Sequence, residues 1–247
     1  MEKVIDFKKY TSINIGSRQK VKIINSIKEY PSYKIIGKGN NLLISNKVSN
    51  LAILGDRFNY IIEENNLLKV GASTSSGKLL TYCKNNNIAN MEFLAKLPGS
   101  IGGLAKMNGG LKEWEIFNQI LFLRIDNKLY SKDEIDYSYR YSNIKGIIYE
   151  VIFKIDKGFS KDKQNMFISM RDNQPHLPSA GSCFKNPKDY SAGYLLEKVG
   201  LKGYRFGGME FSSIHANFLV NNGNGTFDEA LELIKIGKKR VKKIYNI

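Results

Sequence analysis

Two residues have the type and setting for chemistry on an anionic substrate. Arg140 lies in "DYSYRYS" (136–142), and Ser182 in "NQPHLPSAGSCFKNP" (173–187). Read as one extended segment, 136–142 puts Tyr137, Tyr139 and Tyr141 on one face and Ser138, Arg140 and Ser142 on the other. A guanidinium flanked by hydroxyls suits bidentate binding of a carboxylate or phosphate. The same facts suit a surface arginine on an edge strand. Around Ser182, Pro175, Pro178 and Pro187 stiffen a turn that offers Ser179, Ser182, Cys183, Lys185 and Asn186. No G-x-S-x-G elbow and no Asp–His pair is evident to activate Ser182, so a proton donor is expected rather than a nucleophile. Cys183, between Ser and Phe, reads as a small packing residue. His215, just before an apolar run, reads as a hydrogen-bonded structural residue.

Two glycine-rich segments could hold a ligand through backbone groups. "IIGKGNNLLIS" (35–45) places Gly37, Gly39, Asn40, Asn41 and Leu42 between two expected strands. Such a turn can cradle a pyrophosphate, and it can equally be a plain hairpin. It is not the dinucleotide fingerprint G-x-G-x-x-G, because position 42 is Leu. "LPGSIGGLAKMNGG" (97–110) holds five glycines, with Pro98, Ser100 and Asn108 among them. Ordering so much glycine is costly, which favours a loop wrapped around a flat ligand over a structural bend.

The elements that must position these groups follow from periodicity. Strands are expected at 33–36, 41–45, 51–54, 67–72, 120–125, 147–155 and 217–221. Helices are expected at 76–87, 160–172, 191–199 and 226–245, the last opened by a capping box of Thr226 and Glu229. Several strands with few long helices between them predict an α+β fold rather than a regular βαβ wind. The polar stretch after Ile155 predicts a domain joint near 157, giving domains at 1–157 and 158–247.

Composition narrows the class. The chain has 247 residues and 25% charged residues, with 38 Lys+Arg against 23 Asp+Glu for a net charge of +15. No apolar run approaches a membrane span, and the start lacks a signal-peptide core, so a cytoplasmic chain is expected. Two cysteines and two histidines leave no zinc or disulfide framework. The positive charge, with 14 Tyr and 13 Phe, permits a basic nucleic-acid-binding protein. No RNA- or DNA-binding motif accompanies it. Most of the surplus, including "KKRVKK" on the last helix, is expected to be solvated surface.

In order along the chain, "GKGNNLLIS", "LPGSIGGLAKMNGG", "YSYRYS", "PSAGSCFKNP", "AGYLLEKVGLKG" and "HANFLVN" resemble the UDP-N-acetylenolpyruvoylglucosamine reductases, from about Thr11 to Val241. The resemblance implies a two-part FAD-binding domain of the vanillyl-alcohol-oxidase (PCMH) type, with subdomains at about 1–55 and 56–157, and a smaller C-terminal α+β substrate domain. It implies non-covalent FAD and NADPH as co-substrate. The reaction implied is reduction of UDP-N-acetylglucosamine enolpyruvate to UDP-N-acetylmuramate in peptidoglycan precursor synthesis. Another FAD oxidoreductase of the same fold is the alternative within the class. A monomer acting on small molecules is expected, with no nucleic acid or membrane partner.

Residue by residue, the resemblance makes Gly37, Gly39, Asn40, Asn41 and Leu42 the pyrophosphate turn. Pro98, Gly99, Ser100, Gly102, Gly103, Asn108 and Gly109 become the flavin and ribityl loop. Tyr139 and Arg140 match a "YR" pair whose Arg binds the substrate carboxylate, and Ser182 matches a proton-donating Ser. Lys185 and Asn186 match residues that face the UDP-sugar. Arg140 and Ser182 are 42 positions apart, which leaves no room for the tyrosine loop of the longer class. The family also places an acidic residue in an "LEPEV"-like tail after the final helix. This sequence stops at Ile247, where that tail is expected, and Glu229 and Glu232 do not match it. A chain carrying the tail is therefore expected to turn over faster.

Overall fold

A computed structural model describes residues 1–28, 30 and 32–247. Contacts group the chain into two units. One comprises Met1–Lys3, Val21–Lys38 and Asn50–Arg171, the other Val4–Lys20, Gly39–Ser49 and Asp172–Ile247. Sheets and helices are mixed in both, an α+β architecture.

The first unit is built on a five-stranded antiparallel sheet in the order Lys128–Ser131, Ile120–Ile125, Ile148–Lys154, Leu67–Gly71, Ile61–Glu64. Its middle strand, IYEVIFK, is buried at every position but the last, which explains its nearly continuous apolar run. The exception, Glu150, is paired: it accepts from the Tyr60 hydroxyl at 2.6 Å and lies 3.4 Å from Arg124. Helix Ser76–Asn85 starts where Ser75 accepts from the Lys78 N–H, and buries Leu79 and Cys83 against this sheet's core. A second sheet pairs residues 21–24 and Lys34–Ile35 parallel to Leu51–Leu54, which lies between them. The grouping by contact continues past the expected joint at 157 as far as Arg171. Helix Lys161–Ser169 belongs to this unit because Phe167 packs in the same core, edge-on to Trp114, and Glu92 accepts from the Ser160 N–H at 2.8 Å.

The second unit has a four-stranded antiparallel sheet in the order Ser179–Ser182, Phe218–Asn221, Met209–Phe211, Arg205–Phe206. Helices Ala192–Lys198 and Phe227–Tyr245 bury Leu196, Ala230 and Leu233 with Phe211, Leu219 and Met209. The capping box of Thr226 and Glu229 is formed, and acidic and basic residues occupy the ends that complement the helix dipole. A distant segment joins this core: Ile13 and Ile15 pack into it, and Asn221 donates to the Ile13 carbonyl at 2.9 Å.

Two local expectations fail. "NLLIS" (41–45) is turn and irregular backbone, not strand. Ile44 is buried and Leu43 packs on the second unit's core, so their apolarity serves packing without a ladder. "DYSYRYS" is not one extended run but a hairpin, pairing Tyr137–Ser138 with Tyr141–Ser142. Tyr139 and Arg140 form its tip, and the alternating faces do not exist. Among the described residues, no helix is long and apolar enough to cross a membrane.

Candidate active site

In the first unit, the second glycine segment is partly helix. Ile101–Lys106 is capped by the Ser100 hydroxyl, which accepts from the Gly103 N–H at 3.3 Å. Gly102 is required by close approach: its N–H donates to the Ala72 carbonyl at 2.9 Å, and a Cβ would stand 2.7 Å from Ala72 Cβ. Gly37, from the first glycine segment, abuts the same helix start, with Ser100 Oγ 2.7 Å from where its Cβ would be. Pro98 and Gly99 lead into the cap, and the Gly99 carbonyl accepts from the Ser76 N–H at 3.0 Å.

Asn108 follows that helix and is fully buried. Its Nδ2 donates to Glu115 Oε2 at 2.6 Å and to the Ser138 carbonyl at 3.0 Å, while Oδ1 accepts from the Phe117 N–H at 3.3 Å. The Gly109 N–H donates to the Leu104 carbonyl at 2.8 Å and closes the turn.

Arg140 sits at the hairpin tip with φ +54°, a conformation disfavoured for a residue bearing a Cβ. Three acceptors hold its guanidinium. Nη1 donates to Glu115 Oε1 at 3.0 Å and to the Asn108 carbonyl at 3.1 Å, and Nη2 donates to the Gly110 carbonyl at 2.8 Å. Tyr139, half exposed, lies with its ring centroid 4.9 Å from the guanidinium carbon. Burial pushes the Glu115 carboxyl above its usual range, although Arg140 and Asn108 pull it the other way.

Among the described residues of this unit, Arg171 is the least satisfied group. It is 8% exposed, and its Nε and Nη2 have no hydrogen-bond partner. Burial, and then the charge of Arg140, lowers its pKa to about 10. A buried guanidinium with orphaned donors is costly unless a ligand satisfies it.

In the second unit, Gly39 has φ +72° and its carbonyl accepts from the Ser12 N–H at 3.2 Å, which ties the first glycine turn to the N-terminal segment. Asn40 is half-buried, and its carbonyl accepts from Ser12 Oγ at 3.3 Å. Asn41 is exposed and Leu42 half-buried. Ser182 is exposed at the end of strand Ser179–Ser182, just after Gly181 at φ +78° and a register shift against Phe218–Asn221. Such an irregularity re-aims the side chain that follows it. The turn beyond Ser182 is held by Asn217, which donates to the Phe184 carbonyl and accepts from the Phe184 N–H, both at 2.9 Å. Lys185 and Asn186 are exposed, and Asn186 Oδ1 accepts from the Ala192 N–H at 2.9 Å. Burial raises the Cys183 thiol to about 12, so it stays protonated, in keeping with a packing residue. His215 is hydrogen-bonded as expected, its Nδ1 accepting from the Asn217 N–H at 3.2 Å.

Two residues that organise these sites were not singled out from the sequence. Glu115 stands in "KEWE" with no motif around it, and only its distance from Asn108 hints at a partnership. Asn217 sits inside "HANFLVN", where its polarity within an apolar run was the available signal.

Residues 173–247 match the family model for the UDP-N-acetylenolpyruvoylglucosamine reductase C-terminal domain. The reductase of Helicobacter hepaticus is 44% identical over 243 residues, covering 96% of this chain and 92% of that protein. That of Helicobacter pylori strain 26695 is 41% identical, covering 100% of this chain and 96% of that one. The crystal structure of the Thermus caldophilus enzyme superposes with a TM-score of 0.86 at 27% identity, over 100% of this chain and 96% of that one. A shared architecture and identities above 40% along nearly the whole length admit one conclusion: this chain belongs to the UDP-N-acetylenolpyruvoylglucosamine reductase family.

Proposed function

We propose that the protein reduces UDP-N-acetylglucosamine enolpyruvate to UDP-N-acetylmuramate, with FAD bound non-covalently and NADPH as hydride source. Family membership supports the reaction class. The observation that carries the reading is the guanidinium pair of the first unit, Arg140 fixed by three acceptors and Arg171 buried with two donors unspent. Donors arranged in this way suit an oxygen-rich anionic ligand.

The residues present fit the cofactor. Gly37, Gly39, Asn40, Asn41 and Leu42 would hold its pyrophosphate. Pro98, Gly99, Ser100, Gly102, Gly103, Asn108 and Gly109 would hold the ribityl chain and flavin, with Arg171 supplying hydrogen bonds to a ligand acceptor. Bound FAD would supply the redox chemistry that no side chain here offers, linking oxidation of NADPH to reduction of the substrate.

The chain's own residues manage the charge and the proton. Hydride addition leaves negative charge on the carbon beside the substrate carboxylate, and that charge spreads into the carboxylate. Arg140, paired with the carboxylate, stabilises the spread charge more in the transition state than in the ground state. The Ser182 hydroxyl gives its proton to that carbon and is reprotonated from solvent. Tyr139 flanks the guanidinium, and Lys185 and Asn186 face the sugar nucleotide.

The visible spectrum tests the whole proposal. The purified protein should be yellow, bleach with NADPH, and regain its colour on addition of the enolpyruvyl sugar nucleotide. A colourless protein that binds no added FAD would overturn it, as would a reduced flavin that the substrate does not reoxidise.

A further inference from the structure

We propose that Glu115 is a positioning residue for the reduction step, holding the Arg140 guanidinium in the one plane that meets the substrate carboxylate. The proposal rests on the reading that Arg140 receives that carboxylate.

A closed ring of contacts carries it. Glu115 uses its two oxygens on different partners: Oε1 accepts from Arg140 and Oε2 from Asn108. Asn108 in turn binds the Ser138 carbonyl, two residues before Arg140 in the hairpin. Backbone, amide, carboxylate and guanidinium thus return to the tip from which the ring starts. The Asn108 and Gly110 carbonyls complete the clamp. Without it, a long side chain on a two-residue tip at φ +54° would sample many orientations.

Charge gives the second argument. Arg140 lies close enough to Arg171 for its charge to depress that group's ionisation, and Glu115 is the carboxylate paired with Arg140. Glu115 offsets part of the positive charge at Arg140 that Arg171 feels, so it bears on the strength of the anion site as well as on its orientation. Its own burial disfavours the ionised form, a cost that the contacts with Arg140 and Asn108 partly offset.

The test uses the FAD-loaded enzyme and its two half-reactions in stopped flow. Glu115→Gln should slow reoxidation by substrate about 100-fold, the scale of a misplaced reacting group, while slowing reduction by NADPH far less. Substrate affinity should not weaken, because the site gains net positive charge. A merely structural loss would weaken binding and slow both halves together. The Glu115→Gln/Arg140→Lys double variant should reoxidise no slower than Arg140→Lys alone, since both changes remove one device. Glu115→Asp keeps the charge but is one methylene too short to span both partners, and should fall between wild type and Glu115→Gln. It decides the matter if Glu115→Gln fails to fold. Wild-type reoxidation in Glu115→Gln or Glu115→Asp, with Arg140→Lys impaired, would overturn the proposal and leave the role of Arg140 standing. Wild-type reoxidation in Arg140→Lys would overturn that role itself.

Discussion

Asn108→Ala should cost far more stability than an average buried amide. The side chain makes three hydrogen bonds, to Glu115, Ser138 and Phe117, all within the first unit. Removing it strands two part-buried acceptors and one buried donor, at about 1 kcal/mol each. The backbone there has φ +45°, which Asn tolerates and Ala resists by about 1 kcal/mol. The sum is about 4 kcal/mol, a large fraction of the roughly 5–15 kcal/mol that stabilises a typical domain. Urea unfolding followed by tyrosine and tryptophan fluorescence measures it, with a midpoint expected to fall by about 1.3–2 M for a slope of about 2–3 kcal/mol/M. Asn108→Asp sharpens the test. It keeps the left-handed backbone and the acceptor for Phe117, but sets a carboxylate against Glu115. Burial and the facing carboxylate raise the folded-state pKa of such a pair above its unfolded value. The charge penalty should therefore be absent at low pH, where only the missing second donor is felt, and grow as pH rises from the unfolded pKa through the raised folded one. A loss below about 1 kcal/mol for Asn108→Ala would refute the reasoning, because it would mean that water replaces the amide without cost.

Three further outcomes follow from single side chains. Ser182→Ala should leave flavin reduction by NADPH intact and slow reoxidation by substrate about 100-fold or more, as stopped flow would show; equal slowing of both halves would remove Ser182 as proton donor. Arg171→Met deletes two orphaned donors, so the FAD-free protein should melt no lower than wild type, while FAD binding by fluorescence titration weakens about 10- to 100-fold. A lower melting temperature with unchanged FAD affinity would make Arg171 structural. Burial raises the thiols of Cys83 and Cys183 to about 12, so neither should be alkylated by iodoacetamide at pH 7.5 until the protein unfolds. Rapid labelling of the half-buried Cys183 in the native protein would contradict its raised thiol pKa.

The four longest helices and the strands at 51–54, 67–71, 120–125, 148–154 and 218–221 were legible because apolar spacing is a local signal, whereas Arg18–Ile24, Ile61–Glu64, Lys128–Ser131 and Met209–Phe211 were not. The Thr226 cap precedes its helix as expected, and the structure adds Ser75, Ser160 and Ser191 as caps of the other three. Arg140 was legible as an anion-binding residue, but its setting was not. The hairpin tip Tyr139–Arg140 carries no Gly, Asn or Asp to announce a turn, and the alternating tyrosines imitate a strand. What overrides the pattern is long-range: the Glu115 carboxylate and the Asn108 and Gly110 carbonyls stabilise a backbone that local preference disfavours. "NLLIS" misled for a related reason, since residues 39–49 group with the C-terminal part of the chain and their apolar side chains fill its core. No local window contains that partner.

Net charge and site charge separate on physical grounds. The +15 of the chain rests largely on lysines in water, whose fields are screened over about 8 Å at physiological ionic strength. Arg140 and Arg171 are screened far less, because both are withdrawn from solvent. The surface charge can therefore raise the rate at which anionic NADPH and sugar nucleotide arrive, an effect that fades with added salt. It contributes little to the charge that develops on the substrate during reduction, where fixed, desolvated groups dominate. Added salt should thus lower kcat/KM through association and leave the single-turnover reoxidation rate nearly unchanged. A reoxidation rate that falls in parallel with kcat/KM would place the catalytic charge on the surface instead.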